Sequence, residues 1–122
     1  MAGEPQITII GHVGKDPELK ITKAGVSVAS FSVAVTPRKK EGDGWTDGET
    51  TWFRISAWHR DGEAAVETLR KGDRVIIQGR FSTSTYDKDG ATMTVNEITS
   101  EAIGVIPKPA KPAIKQEVSA PW

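Results

Sequence analysis

Trp52, Arg54, Ser56 and Trp58 fall at two-residue spacing in Thr50-Thr51-Trp52-Phe53-Arg54-Ile55-Ser56-Ala57-Trp58-His59, so on an extended strand they share one face. Phe53, Ile55 and Ala57 form the opposite face, which is ordinary core material. Two indoles around a guanidinium and a hydroxyl are costly to bury and unusual to leave idle in water. Flat rings beside cations can stack on bases and pair with phosphates. For a single Trp, packing beside a snorkelling arginine is the simpler account. Two at i and i+6 with Arg54 between them favour a binding face.

The material for catalysis is thinner. His12, His59, Ser32, Ser56 and the scattered carboxylates are the candidates, and no metal-ligand cluster, nucleophile elbow or phosphate loop surrounds them. The absence of cysteine excludes disulfides, thiolate zinc sites and cysteine nucleophiles. Neither enzymatic activity nor a metal or cofactor is expected.

Composition sets the scale of the machinery around that strand. At 122 residues, 37% hydrophobic and 26% charged, the chain should form one globular domain with a modest core. It has no apolar run of ~18 residues to span a bilayer, and Met1-Ala2-Gly3-Glu4-Pro5-Gln6 lacks signal-peptide character, so a cytoplasmic protein with no membrane partner is expected. With 16 basic and 16 acidic residues the formal net charge is zero. Any nucleic-acid partner must therefore be held by local charge, for which Arg38-Lys39-Lys40, Arg54, Arg60, Arg70-Lys71 and Arg80 are the candidates.

The elements that must position these residues follow from periodicity. Ile7-Thr8-Ile9-Ile10 opens a first strand that bends through Gly11 to Pro17 and resumes with Leu19 and Ile21. A second strand, Val26 to Thr36, changes phase between Val28 and Phe31, which predicts a bulge or twist near Ala29-Ser30. Pro37 to Glu49 is polar and predicted as a long hairpin loop with Trp45 as its apolar anchor. After the third strand, Asp61 to Gly72 reads as a helix capped by Asp61, balanced by Arg70 and Lys71 and stopped by Gly72. A fourth strand, Asp73 to Tyr86, faces Val75, Ile77, Gly79 and Phe81 inward and Ile76, Gln78, Arg80 and Tyr86 outward. Asp87-Lys88-Asp89-Gly90 turns it into a fifth, Ala91 to about Val105, with a phase change near Ile98. Ile7, Ile9 and Ile76 are read as outward-facing apolar residues that suit a subunit interface or an ordinary barrel surface. Pro107-Lys108-Pro109-Ala110-Lys111-Pro112 begins a proline-rich basic tail that ends at Trp122. The domain organisation is thus 1–105 as a barrel and 106–122 as a short flexible tail.

Five strands with one helix between the third and fourth predict an all-β fold, the OB-fold five-stranded Greek-key barrel. Ile9-Ile10-Gly11-His12-Val13-Gly14-Lys15-Asp16-Pro17-Glu18, Thr51-Trp52-Phe53-Arg54 and Leu69-Arg70-Lys71-Gly72-Asp73-Arg74-Val75-Ile76-Ile77-Gln78-Gly79 resemble the bacterial single-stranded DNA-binding protein family, from about Gln6 to Val105. That resemblance implies a homotetramer of OB-folds that coats single-stranded DNA without sequence preference in replication, recombination or repair, at the nucleoid. It also implies stacking on Trp52, Trp58 and Tyr86, with Arg54, Arg60, Arg70 and Lys71 where the family places cations. A further family tryptophan falls at Arg38-Lys39, so that stacking position is lost here unless Trp45 replaces it from the loop. Ser82, Ser84 and Thr85 stand where relatives often carry basic residues. Relatives usually end in an acidic, apolar-tipped peptide that recruits protein partners. This chain ends Ala120-Pro121-Trp122 and resembles a short paralogue without that peptide. The alternative expectation is an OB-fold protein-interaction module, such as a replication-restart factor, that touches DNA weakly.

Overall fold

Alternating apolar residues close the chain into a barrel, seen in a computed structural model that describes residues 3–107. The elements are β1 (Gln6–Val13), β2 (Glu18–Ile21), β3 (Ser27–Val35), β4 (Arg38–Glu41), β5 (Gly44–Asp47), β6 (Thr51–Trp58), α1 (Arg60–Thr68), β7 (Arg74–Lys88) and β8 (Ala91–Val105). β1 pairs with β7 along Gln6 to His12 and, at its far end, with β3 through His12 opposite Ala34 and Val13 opposite Val33. The sheet order β1-β7-β8-β6-β3 therefore closes on itself. Only the β6–β8 pairing among the barrel strands is parallel. This is the OB-fold, with α1 between the third and fourth barrel strands. Where β1 crosses β3, a Cβ on Gly11 would lie 2.4 Å from the Ala34 carbonyl oxygen, so the closure requires glycine there.

The core alternates as the sequence predicts on β6 and β7, with Ile55, Ala57, Val75 and Ile77 fully buried. Ile98 joins them from β8, and Ala65 and Leu69 close one end from the helix side. No helix of the described residues is long and apolar enough to cross a membrane.

Five local expectations are corrected. The bulge near Ala29-Ser30 is absent, because β3 keeps unbroken register with β6 from Val28 opposite Trp58 to Val35 opposite Thr51. Ala29 supplies the core phase there, fully buried with Phe31 and Val33, so Val28 lies on the outer face of a regular strand. The segment expected as a loop after Pro37 folds as a β4–β5 ribbon. Its base is pinned by Gly48 N–H donating to the Pro37 carbonyl at 2.7 Å and by Thr36 Oγ1 against Thr50 Oγ1 at 2.6 Å. The helix starts one residue before Asp61 and ends at Thr68, and its N-cap position is His59, with no side-chain cap. Asp61 and Glu63 instead complement the positive end of the helix from its first turn. On β8 the irregularity lies at Glu101, the extra residue between Ser100 opposite Gly79 and Ala102 opposite Gln78. Ile9, expected outside, is 8% exposed and belongs to the core, while Ile10 takes the outward position at 45%. Lys108 to Trp122, which hold most of the expected tail, lie outside the described residues.

Candidate nucleic-acid interface

Outer-face residues of β3 and β6 run side by side in register: Val28 beside Trp58, Ser30 beside Ser56, Ser32 beside Arg54. On the other side of β6, parallel β8 sets Asn96 beside Phe53 and Glu97 beside Arg54. Together these strands line a groove of about 880 Å³, to which Lys15, Glu18 and Lys20 contribute from β2 and the bend before it. Trp52 and Trp58 stand in it 55% and 40% exposed. Such exposure is what stacking requires, since a fully buried indole offers no face and a fully free one has no fixed plane.

The local supports are specific. A Cβ on Gly14 would lie 2.6 Å from Cζ3 of Trp52 and 2.7 Å from Ser32 Oγ, so the indole is seated over the bare backbone of Gly14. Asn96 Nδ2 donates to the Trp52 carbonyl at 3.3 Å, tying β8 to the same residue. Arg54 Nη1 donates to Glu97 Oε2 at 3.4 Å, an ion pair inside the groove. Lys15 Nζ stands 3.9 Å from Glu18 Oε2. The groove thus carries three cations, Lys15, Lys20 and Arg54, against two carboxylates, Glu18 and Glu97. Sequence reasoning found Trp52, Arg54 and Trp58 but missed the lysines, Gly14, Asn96 and Glu97. The phase of β3 was the available signal, because once Ala29 is taken as core, Val28, Ser30 and Ser32 must flank the tryptophans.

The other candidate residues lie outside this groove. Tyr86 pairs with Met93 on the distal β7–β8 hairpin, 47% exposed. Trp45 is 60% exposed on the ribbon, cross-strand from Lys40, while Arg38 lies 3.6 Å from Asp47 and Lys39 pairs with Thr46. Arg60 opens α1, two residues beyond Trp58. The Arg70 guanidinium caps the end of the helix, donating to the carbonyls of Val66 at 2.9 Å and Leu69 at 2.6 Å. Lys71 is held through its backbone, whose N–H donates to Asp16 Oδ1 at 2.8 Å. Arg80 Nε lies 3.7 Å from Glu101 Oε2 beside the β8 bulge.

Comparison with known proteins places this geometry. The model of the single-strand binding protein family matches residues 5–106. A single-stranded DNA-binding protein of Paenarthrobacter aurescens is 44% identical over 107 residues, covering 85% of this chain and 63% of that protein. Single-stranded DNA-binding protein 2 of Streptomyces coelicolor is 41% identical over 107 residues, covering 85% of this chain and 54% of that protein. The matched part therefore spans between about half and two thirds of the length of those relatives. The crystal structure of a small single-stranded DNA-binding protein from Streptomyces coelicolor superposes with a TM-score of 0.79 at 32% identity, covering 84% of this chain and 94% of that one. The barrel topology, the motifs on β1, β6 and β7 and these matches agree: the chain belongs to the single-strand binding protein family.

Proposed function

We propose that the groove binds single-stranded DNA without sequence preference and leaves it chemically unchanged, coating it during replication, recombination or repair. The observation that carries this reading is the pair of half-exposed indoles, Trp52 and Trp58, on either side of Arg54 in one groove. Every base offers a π face, so stacking tolerates any sequence, and each stacked base contributes ~1–3 kcal/mol. Arg54, Lys15 and Lys20 would meet the phosphates between stacked bases. Arg38, Lys39, Lys40 and Trp45 on the ribbon, Tyr86 on the distal hairpin, and Arg60, Arg70, Lys71 and Arg80 would extend the path beyond the groove. Family membership supports the same reading, together with a homotetrameric assembly.

Titration of the chain with oligo-dT at several salt concentrations, followed by Trp fluorescence, tests it. Quenching that weakens with salt is expected, and Trp52→Ala and Trp58→Ala should each lose roughly 5- to 150-fold in affinity at unchanged thermal stability. Wild-type-like binding by both variants overturns the stacking assignment. Equal affinity for duplex DNA overturns the single-strand preference. Unchanged emission with no binding points instead to a protein-interaction module.

A further inference from the structure

We propose that Glu97 limits the affinity of the groove by competing with phosphate for Arg54, so that the site exchanges DNA rather than holding it at full strength. This inference rests on the reading of the groove as a single-stranded DNA site and adds a residue that opposes binding. Parallel pairing sets Glu97 directly beside Arg54, and Arg54 Nη1 lies 3.4 Å from Glu97 Oε2. Both side chains reach solvent, Arg54 at 55% and Glu97 at 32% exposure, so the pair is screened, weak and exchangeable. Arg54 stands on the same face as Trp52 and Trp58 and between them, next to Trp52, where the backbone of a strand stacked on both rings would pass. A carboxylate at that point repels the arriving phosphate and occupies the cation that would meet it. Glu18 sets the same balance for Lys15 at 3.9 Å, but on β2 and the bend before it rather than on the strands around the tryptophans.

The salt dependence carries a signature. When a phosphate displaces Glu97 from Arg54, the DNA releases a counterion while the freed carboxylate attracts one from solution. The contact at Arg54 then contributes little to net ion release. Neutralising Glu97 without changing its shape removes that compensation. A purely positional role predicts the opposite, because Arg54 would lose the partner that fixes its pose and binding would weaken.

The test is oligo-dT affinity of the full chain across a salt series for wild type, Glu97→Gln and Glu67→Gln, read by anisotropy of a labelled oligonucleotide. Glu67 is an exposed carboxylate on α1 away from the groove, so its variant controls for net charge alone. Glu97→Gln is expected to bind about two- to fivefold more tightly at low salt, the scale set by exposed ion pairs. Its log-log salt slope should steepen by up to about 0.7, one phosphate on a single strand. In an Arg54→Ala background the gain from Glu97→Gln should shrink. Unchanged or weaker binding by Glu97→Gln, or an equal gain in Glu67→Gln, overturns the inference while leaving the DNA-binding reading intact. A wild type that binds no oligo-dT overturns both.

Discussion

Gly14 shows how much a missing side chain can specify. It precedes Lys15 in the bend between β1 and β2, and the indole of Trp52 lies over it at a distance a methyl group cannot share, 2.6 Å from the ideal Cβ position to Cζ3. Because Trp52 is exposed, its ring can move aside more cheaply than a core residue could. Gly14→Ala should therefore cost little stability, about 1 kcal/mol or less, while displacing the stacking plane. The expected outcome is oligo-dT affinity reduced toward that of Trp52→Ala, with a shift in Trp emission of the free protein. A double-mutant cycle isolates the cause, since Gly14→Ala added to Trp52→Ala should cost no further affinity. Additive losses would mean that Gly14 serves the bend and not the ring. The tryptophans themselves were legible from alternation alone, because strand period is a property of neighbouring residues. The seat beneath Trp52 was not, since it depends on Gly14 in the bend after β1 meeting Trp52 of β6 across 38 positions of sequence.

Between strand and helix, His59 carries the strain of the junction. It sits at φ 60°, ψ −132°, a conformation that disfavours any residue with a Cβ, directly after Trp58. Its backbone explains why the turn persists: His59 N–H donates to the Ser27 carbonyl at 2.8 Å, and its carbonyl accepts from Gly62 and Glu63 at 3.1 and 3.2 Å. Gly62 then lets α1 settle onto β6, as a Cβ there would meet the Ala57 carbonyl oxygen at 2.3 Å. Relieving the strain should outweigh the added chain entropy of glycine, so His59→Gly is expected to stabilise the fold by about 1 kcal/mol. Thermal unfolding would show this as a rise of roughly 4–8 °C, and a lower midpoint would refute the strain argument. At the other end of α1, Arg70→Ala should lower stability by about 1 kcal/mol, because the Val66 and Leu69 carbonyls lose their shared donor. Element types and order were readable in advance, whereas caps, the β4–β5 ribbon and the Glu101 bulge were not. Asp61 looked like a cap because its side chain suits one, but a backbone hydrogen bond to Ser27, distant in sequence, holds the N-cap position two residues earlier at His59. The regular course of β3 was missed because Ala29 is small enough to be overlooked as core, although the barrel buries it completely.

At the scale of the molecule, closure of the barrel sorts apolar residues that alternation alone could not place. Ile9 and Ile10 are adjacent in β1, and only the pairing with β7 shows that Ile9 points into the core and Ile10 away from it, opposite Ile76. Ile10 at 45% and Ile76 at 37% exposure leave a cross-strand apolar pair on the outside of the β1–β7 sheet. A concavity of about 280 Å³ begins beside them, lined by Thr8, Ile76, Gln78, Ala102, Ile103 and Gly104. β8 contributes to both sites, but through Thr94 to Glu97 in the tryptophan groove and Ala102 to Gly104 here, and no lining residue is shared, so covering this face would leave the groove residues free. A homotetramer, which the proposed function includes, would bury such a surface and make stability depend on chain concentration. Light scattering at micromolar concentration should then give four times the 13.2 kDa chain mass. Ile10→Glu combined with Ile76→Glu would set like charges opposite each other on both copies of the face. That variant should run at a lower mass while its far-ultraviolet dichroism stays that of a β-barrel, because neither side chain belongs to the buried core. Its oligo-dT affinity would fall mainly for oligonucleotides long enough to reach a second subunit, since linked sites share one strand at high effective concentration. An unchanged mass in the double variant would move the subunit contact to another face of the barrel, and a monomeric wild type would remove the tetramer altogether.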